Sequence, residues 1–238
     1  MAALGKIIGD SLKKLFFREL TVVSVRDLSA QFKRIEFVSD ALRGARFSTG
    51  DKVQVALDEG PRTYTPFSFD GARGTLSLLL YLHGDGSSAR WGKGLSEGDR
   101  AHAFGPRGSL ALASESGPIV LFGDETSFAL ARALLESPRT SSVHFIFEAS
   151  RSGESSPVLD ALELPNTGLV ERREDQSHLS EVEDRVRAAL AREPGTRLVL
   201  TGKAQSIQAL RARLKARPVA HAGQLVKAYW SPGKRGLD

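Results

Sequence analysis

Apolar and polar positions alternate with a period of two through much of the first hundred residues. The clearest stretch is 75–83, where Leu76, Leu78, Leu80 and Leu82 share one face of a strand and Thr75, Ser77, Leu79, Tyr81 and His83 the other. Further runs at 21–25, 32–38, 52–57, 62–69 and 100–104 are separated by Gly, Asp and Ser clusters. Short strands so closely spaced, with one brief helical candidate near Trp91, predict a small antiparallel six-stranded barrel over 18–112. Ahead of it, Leu4, Ile7, Ile8, Leu12, Leu15 and Phe16 recur at helical spacing among Lys6, Lys13 and Lys14. They predict a basic amphipathic helix over 1–17, suited to packing on its own domain or on a partner.

After Gly117 the rhythm changes. Strands are expected at 119–122, 143–147, 169–172, 198–200 and 225–230, and helices at 125–136, 157–162 and 204–216. Ser180-Glu181-Val182-Glu183 matches a capping box and is expected to open another helix, running to about Arg192. Strand and helix in alternation predict a parallel sheet covered by helices over 117–238, with the boundary at 111–117. The fold class is therefore β followed by α/β.

Composition narrows the chemistry. The chain has 238 residues, 41% of them hydrophobic, and a net charge of +5. That suffices for a sizeable core, and no uninterrupted apolar window reaches the roughly 18 residues of a membrane span. With no cysteine there is no disulfide, thiolate nucleophile, Cys-ligated zinc or iron–sulfur cluster, and the five histidines are scattered, so no metal site is expected. The start lacks the apolar core of an export signal, which predicts a cytoplasmic protein without stable membrane association. Residues 203–237 hold eight cations and no acid. This is either a solvated helix face or a surface for an anionic partner. Nothing else in the chain speaks for nucleic acid.

Two strings carry chemistry in the first half. In Arg62-Thr63-Tyr64-Thr65-Pro66, alternate side chains place an arginine fork and an aromatic ring on one face. Such a face suits a pyrophosphate and a flat heterocycle, although simple strand packing gives the same pattern. In His83-Gly84-Asp85-Gly86-Ser87-Ser88-Ala89-Arg90-Trp91, Gly84, Gly86 and Ala89 satisfy G-x-G-x-x-A. The preceding strand belongs to an antiparallel meander and not to a βαβ unit, so this is not a Rossmann fingerprint. Small residues entering a helix still present free N–H groups to a phosphate. All three tyrosines and both tryptophans lie in or beside the candidate strings.

With Gly98-Asp99, Gly105-Pro106-Arg107-Gly108-Ser109, Gly123-Asp124-Glu125-Thr126 and the terminal Tyr229-Trp230, these strings resemble the ferredoxin–NADP reductase superfamily. More narrowly, they resemble its siderophore-interacting branch of ferric-siderophore reductases. The resemblance implies a flavin-binding barrel followed by a nicotinamide-binding α/β domain, with FAD and NADPH (or NADH) as cofactors. It implies that Arg62 binds the FAD pyrophosphate and that Tyr64 packs on the isoalloxazine. Thr65 would hydrogen-bond to flavin N5, the hydride acceptor, and is the one catalytic assignment. His83 would lie near the adenine or ribityl part, Gly86, Ser87, Ser88 and Ala89 would offer amides to the pyrophosphate, and Trp91 would anchor the short helix. Tyr81 belongs either to these contacts or to the core. Gly123, Asp124 and Thr126 would receive the nicotinamide cofactor, with Thr126 and backbone N–H groups meeting phosphate; an ordinary helix N-cap is the alternative there. Trp230 would shield the flavin.

Ser150 and Arg151, after the strand at 143–147, would meet a 2′-phosphate, and Lys203 adds charge nearby, which favours NADPH. Glu148 would suit a ribose if it faced the site. The chain departs from the family pattern at Lys203, where an acid is usual, at Ser231-Pro232, where arginine commonly follows the Tyr-Trp pair, and at Ser87, where proline is usual. The implied function is electron transfer from NAD(P)H through FAD to a ferric siderophore or other ferric chelate. The alternative is a flavin-binding electron-transfer or regulatory subunit that docks to a protein partner through the first helix. A protein electron acceptor or a homodimer fits either reading.

Overall fold

The computed structural model describes residues 17–112 and 114–234. Seven strands form the first, antiparallel sheet: β1 (Arg18–Ser29), β2 (Phe32–Val38), β3 (Lys52–Val55), β4 (Arg62–Tyr64), β5 (Ser68–Asp70), β6 (Thr75–Tyr81) and β7 (Arg100–Arg107). Their order is β4-β3-β7-β1-β2-β6-β5, so the two edge strands are joined by only Thr65, Pro66 and Phe67. The single strand expected over 62–69 is thus two. Pro66 brings no N–H to a ladder, and the chain turns there from one edge of the sheet to the other. Between β6 and β7 lies the short helix α1 (Ser87–Gly94).

The second sheet is parallel: β8 (Gly117–Gly123), β9 (Thr140–Ala149), β10 (Thr167–Glu171), β11 (Arg197–Lys203) and β12 (Gln224–Trp230), in the order β10-β9-β8-β11-β12. The connecting helices are α2 (Phe128–Leu135), preceded by a 3-10 turn at Glu125–Ser127, then α3 (Ser152–Ala161), α4 (Leu179–Arg192) and α5 (Ala204–Ala216). Two helix starts differ from expectation. Pro157 lies inside α3, which begins five residues earlier; Gly153, four residues before the proline, is exposed, so water can take the carbonyl that the proline leaves unbonded. The capping box at Ser180 does not form. His178 is the N-cap of α4, with its ring plugged into Glu148, and Glu183 instead meets Arg213 and Arg217 near the end of α5.

The strand periodicity feeds separate cores. Leu76, Leu78, Leu80 and Leu82 fill the interior of the first sheet with Val22, Ile35, Phe37 and Val53. The opposite face of β6 is buried too: Leu79, with Phe32 and Phe67, joins Leu121, Phe128, Phe145 and Phe147 of the second half. Phe32 stacks on Phe128 at 5.5 Å between ring centres, so one core spans both sheets. The far face of the parallel sheet packs Val120, Phe122, Ile146 and Leu200 under α4 and α5. The helix expected over 1–17 lies outside the described residues apart from Phe17, whose ring is 6.1 Å from Phe104. Among the described residues no helix is long and apolar enough to cross a membrane.

Candidate functional site: a polar cradle facing a buried ion network

The first part of the site is built where β4 meets α1. Gly92 has no Cβ to clash with Leu80 and Leu82, and this lets α1 dock closely on β6. Its N-cap is Gly86, with no side chain capping the first turn, so the leading N–H groups of α1 have no capping acceptor. The hydroxyls of Tyr64 and Ser87 are buried without a hydrogen-bond partner among the described residues. Burial raises the Tyr64 pKa; the nearby Ser88 hydroxyl and the charge of Arg62 offset only part of that. The Arg62 guanidinium donates to the carbonyls of Gly60 (3.2 Å) and Pro61 (3.1 Å) of its own loop and holds no carboxylate. The Trp91 ring lies 6.1 Å from Tyr64 and packs on the barrel core, while Ala89 is buried at the root of the helix. A Cβ added at Gly84 or Gly86 would meet nothing within 4 Å. Orphaned hydroxyls, uncapped amides, open space and an uncommitted arginine are what the phosphates and polar edge of a dinucleotide flavin require, and these residues fit FAD.

The second part lies at the carboxyl ends of the parallel strands. Asp124, Glu125 and Glu148 are all buried there. Asp124 is the N-cap of the 3-10 turn: its Oδ1 accepts the N–H of Thr126 at 2.9 Å and the Thr126 hydroxyl, while Ser127 returns a bond to its backbone N–H. Its Oδ2 accepts the indole N–H of Trp230 at 2.7 Å. Gly202, at φ +97°, passes so close that a Cβ there would stand 2.6 Å from the carboxylate; only glycine serves. Gly123 is held in the same way, against Ser127. Burial first, then the charge of Glu125, pushes the Asp124 pKa up to about 6.

Arg172 ties the acids together. Its Nη2 donates to Glu125 Oε2 at 2.6 Å and its Nε to Glu148 Oε1 at 3.0 Å, with Asp124 3.9 Å away. Burial opposes its charge, but the three carboxylates outweigh it and hold the guanidinium above its ordinary pKa. Burial alone would raise Glu125; Arg172 and the Ser150 N–H and hydroxyl hold it below the usual carboxylate range. Glu148 also accepts from Ser206 (2.7 Å) and meets His178 Nε2 at 2.8 Å, while His178 Nδ1 accepts the Arg173 N–H. Glu148 therefore faces a full set of partners and not a ribose.

Two contacts join the parts. The Tyr81 hydroxyl donates to Glu125 at 3.2 Å and lies 2.9 Å from Ser150 Oγ, and its pKa is pushed up to about 12 by burial and then by Glu125. Tyr81 is thus turned to the second half and away from the cradle. Its ring sits 4.9 Å from that of exposed His83. At the end of β12 the Tyr229 hydroxyl has its pKa likewise raised to about 12 by burial, with the side chain of Thr65 near enough to offset part of that.

The structure so brings Arg62, Tyr64, Ser87, Ser88, Ala89 and Trp91 into one cradle, and Gly123, Asp124, Thr126, Lys203 and Trp230 into a second group. In that group the N-cap alternative is what is seen, since the Thr126 hydroxyl is spent on Asp124. Ser150 is likewise spent on Glu125, which separates it from exposed Arg151 at the head of α3. Lys203 reaches over the Trp230 ring, 5.7 Å from its centre. The reading of the sequence missed Arg172, His178 and Ser206. A signal existed: acids at the ends of two buried strands need a buried cation, and Arg172 ends the next one. Among the described residues no group of side chains could hold a metal ion.

The antiparallel sheet followed by a helix-covered parallel sheet is the two-domain fold of the ferredoxin–NADP reductase class. A ferredoxin NADP+ reductase from Neisseria gonorrhoeae, solved with FAD and NADP bound, superposes with a TM-score of 0.70 at 16% identity, over 90% of this chain and 99% of that one. The chain belongs to the siderophore-interacting protein family: residues 117–233 match the family's "Siderophore-interacting protein" model and residues 56–110 its "Siderophore-interacting FAD-binding domain". A siderophore utilization protein from T. fusca shares the fold at a TM-score of 0.70 and 24% identity, covering 93% of this chain and 95% of that one. An NADPH-dependent ferric-chelate reductase of Escherichia coli (strain K12) is 31% identical over 146 residues. That match spans 51% of this chain and only 57% of the relative.

Proposed function

We propose that the chain is an NADPH-dependent flavin oxidoreductase that reduces the iron of a ferric chelate, with ferric siderophores as the substrate class. The observation that carries this reading is the cradle itself. Tyr64 and Ser87 bury hydroxyls with no partner beside an uncapped helix, within the segment matched to the family's FAD-binding domain. The ferric-chelate reductase described above supports the NADPH-dependent reaction, and a reductase of the same fold holds FAD and NADP.

When bound, FAD converts the two-electron chemistry of a nicotinamide into the one-electron chemistry of iron. The protein's part is to bind and to orient. Arg62 would take the pyrophosphate, the leading amides of α1 and the Ser87 and Ser88 hydroxyls its oxygens, and Thr65 the polar edge of the ring system. Tyr64 and Trp91 supply apolar walls that exclude water. Arg151, exposed and with no carboxylate bound to it, would meet the 2′-phosphate of NADPH; Arg172 is committed to three carboxylates and is not available. The net charge of +5 suits an anionic iron complex.

The test is anaerobic. FAD-loaded protein is reduced with NADPH or NADH and then mixed with ferric siderophores and simple ferric chelates while flavin absorbance is followed. Reduction by NADPH and reoxidation by a ferric chelate are expected. Protein that retains no FAD, or reduced protein that no ferric complex reoxidises, overturns the reading.

A further inference from the structure

We infer that Asp124 is a positioning residue: it pins Trp230, and through it the end of β12, so that Tyr229 is held on Thr65. The inference rests on the reading above, in which the cleft beside Thr65 is where the nicotinamide is oxidised.

The geometry begins with a break in strand register. On β11 and β12, Gly202 pairs with Ala228 but Lys203 pairs with Trp230, so Tyr229 has no residue opposite it. A bulge of this kind re-aims a side chain that would otherwise follow the strand's alternation. Tyr229 is placed beside Thr65 of the first half, whose hydroxyl works against the burial that raises the tyrosine's pKa. A bulged strand end needs something to fix it, and the next residue supplies that. The Trp230 indole N–H donates at 2.7 Å to Asp124 Oδ2, and two cations lie over its ring, Arg172 at 5.8 Å and Lys203 at 5.7 Å from the centre.

The other end of the pin is equally fixed. Asp124 is fully buried, is bonded through Oδ1 to the Thr126 N–H and lies against Gly202, where any side chain would strike it. It cannot move without unwinding the turn that begins at Glu125. A rigid carboxylate just past β8 therefore sets the position of an aromatic pair on β12, and that pair closes on the barrel residue nearest the expected hydride acceptor. Transfer of hydride depends steeply on alignment, and a displacement of about 1 Å costs on the order of a hundredfold in rate.

Three variants of the full-length, FAD-loaded protein test the pin. Trp230→Phe keeps a ring and removes the donor; Asp124→Ala removes the acceptor and the N-cap; Asp124→Asn keeps the N-cap through its one oxygen but turns an amide NH2, a donor, to the indole N–H. Flavin reduction at saturating NADPH is expected to slow about tenfold or more in Trp230→Phe and Asp124→Ala. FAD content and NADPH affinity should stay within about threefold, and the double variant should be no slower than the worse single. Asp124→Asn, which keeps the turn but not the pin, is expected to be as slow as Trp230→Phe. Additive losses, or Trp230→Phe reacting at the wild-type rate, overturn the inference, and Trp230→Phe carries the comparison if Asp124→Ala does not fold. A second readout needs no turnover: hydrogen exchange at the indole N–H of Trp230, assigned by its loss in Trp230→Phe. Protection is expected in wild type but not in Asp124→Asn or Asp124→Ala, and equal exchange in all three overturns the pin. A wild type that no nicotinamide reduces would sink the proposed function, while the exchange result would still decide on the pin.

Discussion

The two parts of the site treat their polar atoms in opposite ways. In the cradle, Tyr64 and Ser87 bury hydroxyls that bond to nothing, α1 starts without a side-chain cap, and Arg62 rests on carbonyls of its own loop. At the carboxyl edge of the parallel sheet the carboxylates are matched: Asp124 by Thr126 and Trp230, Glu125 by Arg172 and Ser150, Glu148 by Arg172, His178 and Ser206. Buried polar groups are seldom left unpaired unless a ligand completes them. The cradle thus has the features of a receptor, and the network those of a frame that holds elements in place. Both carry motifs that look equally suited to a cofactor in the sequence, and only the accounting of partners separates them.

That contrast breaks most severely at Arg172. Replacing it with methionine leaves buried carboxylates without their cation, and this should cost about 3–5 kcal/mol, read as a lower urea midpoint at neutral pH. An unchanged midpoint would mean that the network is not a frame. A second lever is pH. Asp124 titrates at about 6 when folded, against roughly 3.9 for an unfolded aspartate. The folded state therefore holds a proton that the unfolded state has lost. This contribution to stability is present below pH ~4 and disappears as pH rises through 6, about 3 kcal/mol in all. Asp124→Asn should remove that slope, and parallel pH–stability curves for variant and wild type would contradict it.

On the ligand-facing side the expected effects move to affinity. Losing a charge-assisted contact to phosphate costs about 1.5–3 kcal/mol, or roughly ten- to a hundredfold. Arg62→Ala should weaken FAD binding by that factor, measured by titration of cofactor-stripped protein, while leaving the urea midpoint in place. Arg151→Ala should weaken NADPH binding equally and NADH binding hardly at all. Equal losses for both nicotinamides would make Arg151 structural.

How far the sequence carried follows the same division. Strand alternation at 75–83 was readable because one face of β6 is leucine throughout while the other mixes Leu79 with Thr75, Ser77, Tyr81 and His83, and the parallel strands were readable as short apolar runs between helical stretches. The cradle was readable because its residues are contiguous in two short strings. The network was not, since its members come from β9 and β12, from the segments after β8, β9 and β10 and from the start of α5, and its pairing exists only once those ends are side by side. Glu148 and Ser150 looked like ligand contacts for that reason: each carries suitable chemistry, and nothing local shows that Arg172 or Glu125 has taken it. The capping box at Ser180 failed similarly, because a tertiary contact of His178 with Glu148 fixed the start of α4 two residues early.

The smallest expected effect is also the most direct comparison, because it removes the same atom from each part. The hydroxyl of Tyr81 bonds to Glu125 and lies against Ser150, whereas that of Tyr64 is buried and bonds to nothing among the described residues. A hydrogen bond to a charged group contributes about 1.5–3 kcal/mol, and an unsatisfied buried hydroxyl costs about 1–3 kcal/mol. Tyr81→Phe should therefore destabilise the cofactor-free protein by about 1–2 kcal/mol, since it strips a donor from a buried carboxylate. Tyr64→Phe should leave its stability unchanged or raise it by up to about 1 kcal/mol, while FAD affinity falls. Urea denaturation of the two variants without cofactor, followed by FAD titration, measures both. Destabilisation by Tyr64→Phe to the same degree as by Tyr81→Phe would show that the cradle hydroxyl already has a partner, and the distinction between a receptor and a frame would fail at the atom where it is sharpest.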